Sequence, residues 1–124
     1  MGWPTDVCVP ISRLAECIGE TKRDLEGASV PATILGHVGD GNFHVVFVLD
    51  PDSKEEAAEA EHLNHRLVER ALAMDGTCTG EHGIGLGKQD WLIAELGETV
   101  DLMRTIKRAL DPKNLFNPGK IFSL

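Results

Sequence analysis

The fold is decided by the stretch Gly36-His37-Val38-Gly39-Asp40-Gly41-Asn42-Phe43-His44. The flanking residues 32–38 and 43–49 are typical of β-strands, and Asp-Gly is a favoured pair for the tight turn of a hairpin. A two-residue turn at Asp40 and Gly41 pairs residue 37 with residue 44. His37 and His44 would then lie directly opposite each other on one face of the sheet, with Cβ atoms ~4.5–5.5 Å apart.

This histidine pair predicts a metal site. Two opposed imidazoles can bind one ion, and Glu81, in the Gly-rich loop 79–85, is a plausible third ligand. Two histidines and one carboxylate leave open coordination positions and suit zinc, manganese or iron, which indicates catalysis rather than a closed structural site. Asn42 is expected to form the turn, and also to orient a ligand histidine or touch the substrate. The plainer alternative is two hydrogen-bonded strand histidines beside a solvated acid.

Six elements follow one another in the order β-α-β-β-α-β. Apolar residues at helical spacing mark the first helix, and Ser53 with Glu56 forms a capping box that opens the second. This order predicts a ferredoxin-like α+β fold with an antiparallel sheet. The predicted elements are strand 5–9, helix 11–26, strands 32–38 and 43–49, a helix from Ser53 to about Met74, and strand 77–79.

The last third of the chain follows a different pattern. A Gly-rich loop at 80–87 precedes helices near 88–96 and 98–110, and the tail is rich in turn residues yet apolar. We therefore predict two parts, a ferredoxin-like part at 5–80 and a part at 81–124 that packs on something else. If its partner surface is missing, the exposed apolar tail should promote homo-oligomers.

Composition excludes several classes of partner. The 124-residue chain has a formal net charge of -8, which argues against nucleic acid, since binding a phosphate backbone needs a basic surface. No apolar run approaches the ~20 residues of a membrane span, so membrane association is not expected. The first residues do not form a signal peptide. The cysteines are three in number and widely spaced, which favours free thiols in a reducing compartment, and we expect a cytoplasmic location.

Three motifs occur together in this chain. They are Gly-His-Val-Gly-Asp-Gly-Asn-Phe-His at 36–44, Gly-Glu-His-Gly-Ile-Gly at 80–85, and Asp-Pro-Lys-Asn-Leu-Phe-Asn-Pro-Gly-Lys-Ile-Phe at 111–122. In this order they resemble the FAD-linked D-2-hydroxyacid dehydrogenases and oxidases of the vanillyl-alcohol-oxidase superfamily, the D-lactate and glycolate enzymes above all. Members of that family are several times longer and begin with an FAD-binding domain. The chain thus looks like the last part of the substrate (cap) domain and the C-terminal tail.

The resemblance implies roles for individual residues. His37, His44 and Glu81 match metal ligands, and His82 matches the catalytic base or substrate-binding histidine. Asn117 lies in the tail that packs near the flavin. Val46 stands where relatives acting on D-2-hydroxyglutarate tend to have a polar Asn, so an apolar residue there suits a small monocarboxylate such as D-lactate or glycolate.

Together these expectations describe part of a flavin-dependent oxidoreductase. The substrate would be a small 2-hydroxy acid, the cofactors FAD and a divalent metal, zinc or manganese, and the FAD would be bound mainly by a domain outside this chain. We expect the isolated chain to bind metal without turnover. Two alternatives stay open: a stand-alone metal-binding or assembly module that docks on a separate FAD-bearing chain, and a zinc hydrolase that uses the same ligands to activate water.

Overall fold

The computed structural model describes residues 1–124, which form two compact units, Met1–Glu81 and His82–Leu124. In the first unit the strands are β1 (Gly2–Pro4), β2 (Val7–Cys8), β3 (Ala32–His37) and β4 (Asn42–Val48), and the helices are α1 (Ile11–Glu26) and α2 (Lys54–Ala73). The second unit holds α3 (Gln89–Leu96), α4 (Thr99–Leu110) and the C-terminal tail. No helix combines the length and the hydropathy needed to cross a membrane.

β4 is the central strand of an antiparallel sheet. β3 pairs with one of its edges, while β1 and β2 follow each other along the other edge. β1 and β2 share one continuous register against β4, so Asp6, in the interruption between them, lies opposite His44. Side chains alternate along β4 between the two faces of the sheet. The buried Phe43, Val45 and Phe47 occupy one face, and His44 belongs to the other.

The predicted α+β fold is confirmed, with one element reduced. Both helices of the first unit form where the apolar periodicity placed them, and Ser53 Oγ accepts the backbone N–H of Glu56 as the N-cap of α2. The predicted strand 77–79 shrinks to a single antiparallel bridge between Thr77 and Cys8. Thr77 therefore lies beside β2, which is where the ferredoxin-like order places the last strand.

Charged side chains join α1 to α2 at the edge of their packing. Arg66 donates to Asp24 at 2.7 Å, and Arg70 donates to both Glu20 and Asp24. Burial alone would raise the pKa of Asp24, but the hydrogen bonds and charges of the two arginines lower it. The carboxylate of Asp24 therefore stays ionised and fixes the two helices side by side.

The predicted two-residue hairpin turn is wrong. β3 and β4 are joined by a longer loop, in which Val38–Asp40 form one 3-10 turn and Gly41 adopts a left-handed φ of 75°. His37 consequently pairs with Asn42, two residues away from the predicted partner. A tight turn of the Asp-Gly type needs positive φ at both central residues, whereas here only Gly41 has it. Because the shift is by two residues, His37 keeps the predicted face.

Candidate metal centre

Three of the predicted site residues converge on the face of the sheet that carries His44. One nitrogen from His37, one from His44 and one oxygen from Glu81 all lie within 4.8 Å of one another. Glu81 Oε1 is 3.6 Å from His37 Nε2 and 3.2 Å from His44 Nε2. The two rings are nearly perpendicular, at 89°, with centroids 6.3 Å apart. The diagonal pairing still lets both imidazoles reach one point, although they are not directly opposite.

The environments of the three side chains differ. The His44 side chain is 6% exposed, whereas those of His37 and Glu81 are 63% and 50% exposed. His44 is therefore a buried side chain, whereas His37 and Glu81 approach it from the surface. A cluster with one buried and two accessible side chains is open to solvent on one side.

The hydrogen bonds of His44 determine which ring nitrogen is available. His44 Nδ1 lies 2.9 Å from the carbonyl oxygen of Thr5. A carbonyl only accepts, so Nδ1 carries a proton, and Nε2 is the ring nitrogen that faces Glu81. Nε2 and Glu81 Oε1 are 3.2 Å apart, a separation at which both atoms can bind one cation. The donor set thus fits a divalent transition metal, although the role of these residues as ligands stays a prediction.

A buried aspartate ties the elements of this site together. Oδ2 of Asp6 accepts from the hydroxyl of Thr79 at 2.8 Å and from the backbone N–H groups of Gly80 and Glu81 at 2.8 and 3.0 Å. Oδ1 accepts from the amide of Asn42 at 2.8 Å and lies 3.5 Å from His44 Nδ1. The loop that carries Glu81 is in this way attached to the strands that carry the histidines.

Asn42 is a buried strand residue beside the site and does not form the turn. It is the first residue of β4 and is buried, and its amide also donates to the carbonyl of Val7 at 3.1 Å. Gly80 packs directly on this amide, since a Cβ at that position would fall 1.5 Å from Nδ2. The amide of Asn42 is bonded to Asp6, and Asn42 is also the direct cross-strand partner of His37.

A cavity of about 440 Å³ opens beside the three converging side chains. Burial raises the pKa of the Cys8 thiol in its wall, and the charges of Asp6 and Asp40 raise it further. Cys8 is therefore a neutral thiol, and it donates to the carbonyl of Asp40 at 3.3 Å. The cavity can admit a small polar molecule, and its lining residues are Cys8, His37, Asp40, Asn42, Gly80 and Glu81.

The other predicted site residues lie around or apart from this cluster. Val46 is half-buried on β4, two residues beyond His44 and on the same face. His82 is exposed and begins the second unit, directly after Glu81 in sequence. Asn117 is exposed in the tail, with a left-handed φ of 46°, and its carbonyl accepts the N–H of Lys120. The roles of these three residues stay predictions.

Two residues of the site were missed by sequence analysis, Thr5 and Asp6. The alternation of residues 5–9 predicts one strand, and the sequence does not indicate the register of that strand against β4. The available signal was Asp6 itself, because a carboxylate directly before the apolar run Val7-Cys8-Val9 needs buried partners.

Comparison with known proteins identifies the family to which this chain belongs. Residues 1–121 match the family described as FAD linked oxidases, C-terminal domain, and the chain belongs to that family. The resemblance seen in the three motifs is thereby confirmed. Membership links the chain to FAD-dependent oxidoreductases.

Individual relatives are similar to this chain over nearly its whole length. D-lactate dehydrogenase (cytochrome), mitochondrial, of Arabidopsis thaliana is 53% identical over 118 residues, which are 94% of this chain and 21% of that protein. Glycolate oxidase subunit GlcD of Bacillus subtilis is 35% identical and D-2-hydroxyglutarate dehydrogenase of Xanthomonas citri 38% identical, over 95% and 97% of this chain and 25% and 26% of those proteins. The chain thus spans about a fifth to a quarter of the curated relatives it matches.

The relatives also correct one expectation. The names of the plant, zebrafish and two yeast D-lactate dehydrogenases place those proteins in mitochondria, so the predicted cytoplasmic location is wrong. Free cysteines indicate a reducing environment, and they do not identify an organelle.

Proposed function

We propose that this chain is the substrate- and metal-binding C-terminal segment of a flavin-dependent oxidoreductase that converts a small D-2-hydroxy acid to the 2-oxo acid. The observation that carries the proposal is the convergence of His37, His44 and Glu81 beside a cavity that His37 and Glu81 help to line. Family membership supplies the link to FAD. The names of the relatives supply the class of substrate.

The residues of this chain would divide the work as follows. His37, His44 and Glu81 hold a divalent metal, zinc or manganese. When bound, the metal would supply Lewis acidity toward the substrate hydroxyl and carboxylate, and FAD would supply the hydride acceptor. His82, which follows Glu81 in sequence, takes the hydroxyl proton as general base. Asn42 and Asp6 hold the ligand-bearing strand and loop in place beneath the substrate.

Val46 is proposed to select a small substrate. Its side chain is apolar and lies on the same face of β4 as His44. A substrate with a second carboxylate would leave that charge without a hydrogen-bonding partner at this position, which is costly. D-lactate and glycolate have no such group, so we propose them ahead of D-2-hydroxyglutarate.

The apolar tail is proposed to pack on the FAD-binding domain. Leu115, Phe116 and Ile121 are exposed and Phe122 is half-buried. Large exposed apolar surfaces of this kind mark interaction sites. Asn117 lies within the same segment and would approach the flavin there.

A chimeric enzyme tests the proposed function. The matching segment of the full-length Arabidopsis relative is replaced by this chain, and dye reduction is measured with D-lactate, glycolate and D-2-hydroxyglutarate. We expect activity with the first two that a chelator removes and zinc or manganese restores. His82→Ala should lower turnover by at least ~100-fold, the lower range for losing a general base, while His62→Ala on the exposed face of α2 serves as the control. Activity that is indifferent to chelation would refute the metal centre.

A further inference from the structure

Thr5 replaces one hydrogen bond of the sheet with its own side chain. Its backbone N–H donates to the carbonyl of Val45 at 2.9 Å. In a regular antiparallel pair Val45 would donate back to the Thr5 carbonyl. Instead, Val45 N–H donates to the Thr5 hydroxyl oxygen, also at 2.9 Å. The Thr5 carbonyl is therefore left to accept the Nδ1–H of His44.

The consequence for His44 is a defined ring orientation. With Nδ1 committed to the Thr5 carbonyl, the neutral ring directs its only lone pair, on Nε2, toward Glu81 and the point where His37 converges. Hydrogen bonds of this kind fix the tautomer and the direction of metal-binding histidines. Between β1 and β2, the regular hydrogen bond from Val45 N–H to the Thr5 carbonyl is therefore absent, and this carbonyl orients His44 instead.

Asp6 fixes the loop that carries Glu81, the third proposed ligand. Its Oδ2 accepts three donors from residues 79–81, among them the backbone N–H of Glu81 itself. Its Oδ1 accepts the amide of Asn42 on β4. All of these donors point at one carboxylate that is 2% exposed. The position of Glu81 relative to His44 therefore depends on Asp6.

We infer that Thr5 and Asp6 are the positioning residues of this centre, Thr5 by orienting His44 and Asp6 by holding the Glu81 loop on the histidine-bearing sheet. The inference rests on the proposed metal centre. Neither residue is placed to bind the ion itself. Their effect is to hold His44 and Glu81 in place before the metal arrives, so that the exposed His37 is the ligand left to be ordered when the metal binds.

The Thr5 contact is tested by zinc titration of the full 124-residue chain in a calorimeter. Thr5→Val keeps the side-chain shape but removes the hydroxyl, so Val45 N–H competes with His44 for the Thr5 carbonyl. We expect zinc affinity to fall by ~10–100-fold, the range seen when such supporting bonds are lost. Thr5→Ser keeps the hydroxyl and should restore the affinity. Thr33→Val, at an exposed position of β3, is the matched control.

Asp6→Asn provides the second variant. Whichever way the new amide turns, its NH₂ group faces donors, either the three from residues 79–81 or the amide of Asn42. We expect zinc affinity to fall by at least ~10-fold. Asp52→Asn, on the exposed loop before α2, should bind zinc as the parent does. Thermal unfolding of each metal-free variant separates the two roles, since a purely structural contribution lowers the midpoint without weakening zinc binding by the folded chain.

Nitrogen NMR of the His44 ring tests, without metal, whether Thr5 fixes the tautomer of this histidine. At a pH where the imidazole is neutral, the parent should carry its proton on Nδ1, and Thr5→Val should show a mixture of the two tautomers. Identical tautomers and identical zinc affinities in the parent and Thr5→Val would overturn the inference. If the parent binds no zinc, the proposed metal centre fails, and the NMR comparison still supports or overturns the orientation of His44 by Thr5.

Discussion

His44 and His37 bring different degrees of order to the same site. His44 is buried and has its Nδ1 fixed by the Thr5 carbonyl, so little conformational freedom is left for it to lose. His37 is exposed at the end of β3, and ordering its side chain costs free energy when it binds. At the proposed metal centre we therefore expect the free energy of metal binding to depend on the ordering of His37 more than on that of His44.

Val46 provides a test of substrate choice at a single position. In the chimeric enzyme, Val46→Asn introduces a hydrogen-bonding amide on the face that carries His44. We expect kcat/KM for D-2-hydroxyglutarate relative to D-lactate to rise by ~10-fold, within the range for one added polar contact. Val48→Asn places the same amide at an exposed position two residues further along β4. An equal shift in both variants would contradict the proposed role of Val46.

The convergence of His37, His44 and Glu81 could be predicted because their chemistry and spacing are visible in sequence. His37 and His44 flank an obvious turn, and Glu81 lies in a Gly-rich loop. The supporting residues could not be predicted in the same way. The role of Thr5 depends on which backbone group its hydroxyl replaces, and that is set by the register between two strands far apart in the chain.

The conformation of the loop between β3 and β4 depends on Gly41. The hairpin prediction assigned Gly41 to a two-residue turn, whereas in the structure its contacts with a distant segment explain why glycine is needed. Gly41 has a left-handed φ, and a Cβ there would lie 2.1 Å from the Val9 carbonyl oxygen. Its own carbonyl accepts the N–H of Val9 at 3.0 Å. These contacts with a distant segment select a longer loop, and turn propensity alone could not indicate them.

We therefore expect Gly41→Ala and Gly39→Ala to have very different effects on stability, although both positions lie in one loop. Gly41→Ala should destabilise the chain by more than ~2 kcal/mol, because the left-handed penalty adds to the clash with Val9. Gly39→Ala meets no atom within 4 Å and should change stability by at most about 0.5 kcal/mol. Urea unfolding of both variants measures the difference. Similar losses in the two would show that the loop is not held in this conformation.

The end of α4 gives the second unit a pH dependence of its own. Lys107 and the backbone N–H groups of Leu115 and Phe116 donate to the Asp111 carboxylate and lower its pKa to about 2. A carboxyl whose pKa is lower in the folded than in the unfolded state contributes stability at pH values above the unfolded pKa of ~3.9. That contribution should be lost as the pH falls from about 4 to about 2.

Thermal unfolding between pH 5 and pH 2 checks this expectation. Asp111→Asn should lose stability at pH 5 and should show a weaker pH dependence in the acid range than the parent. Asp90→Asn, at an exposed position of α3, is the control and should follow the parent. Equal pH dependence in the parent and Asp111→Asn would contradict the role of this carboxylate.

Large apolar side chains are exposed at the C-terminal end of the chain. Leu115 and Phe116 are 70% and 72% exposed. We expect the isolated chain to form dimers or larger species at high concentration, because such surfaces associate when their partner is missing. Light scattering should show Leu115→Ser and Phe116→Ser shifted toward monomer, while Leu35→Ser on β3 leaves the association unchanged. A strict monomer at high concentration would contradict the prediction.

At this level the sequence predicted the element order and the family but not the location. The six-element order follows from caps, turns and apolar periodicity, which are local. The strand predicted at 77–79 is a single bridge in the structure. The β-rich composition of three residues does not indicate how many backbone hydrogen bonds they form with the neighbouring strand. The cytoplasmic expectation rested on free thiols, which several reducing compartments share.

Calorimetric titration of zinc into this chain tests the metal centre most directly. We expect one ion to bind per chain through His37, His44 and Glu81, with binding lost in His37→Ala and retained in His62→Ala, whose histidine lies on the exposed face of α2. Manganese, titrated in the same way, should bind at the same site. A His37→Ala chain that binds zinc as tightly as the parent would contradict the assignment.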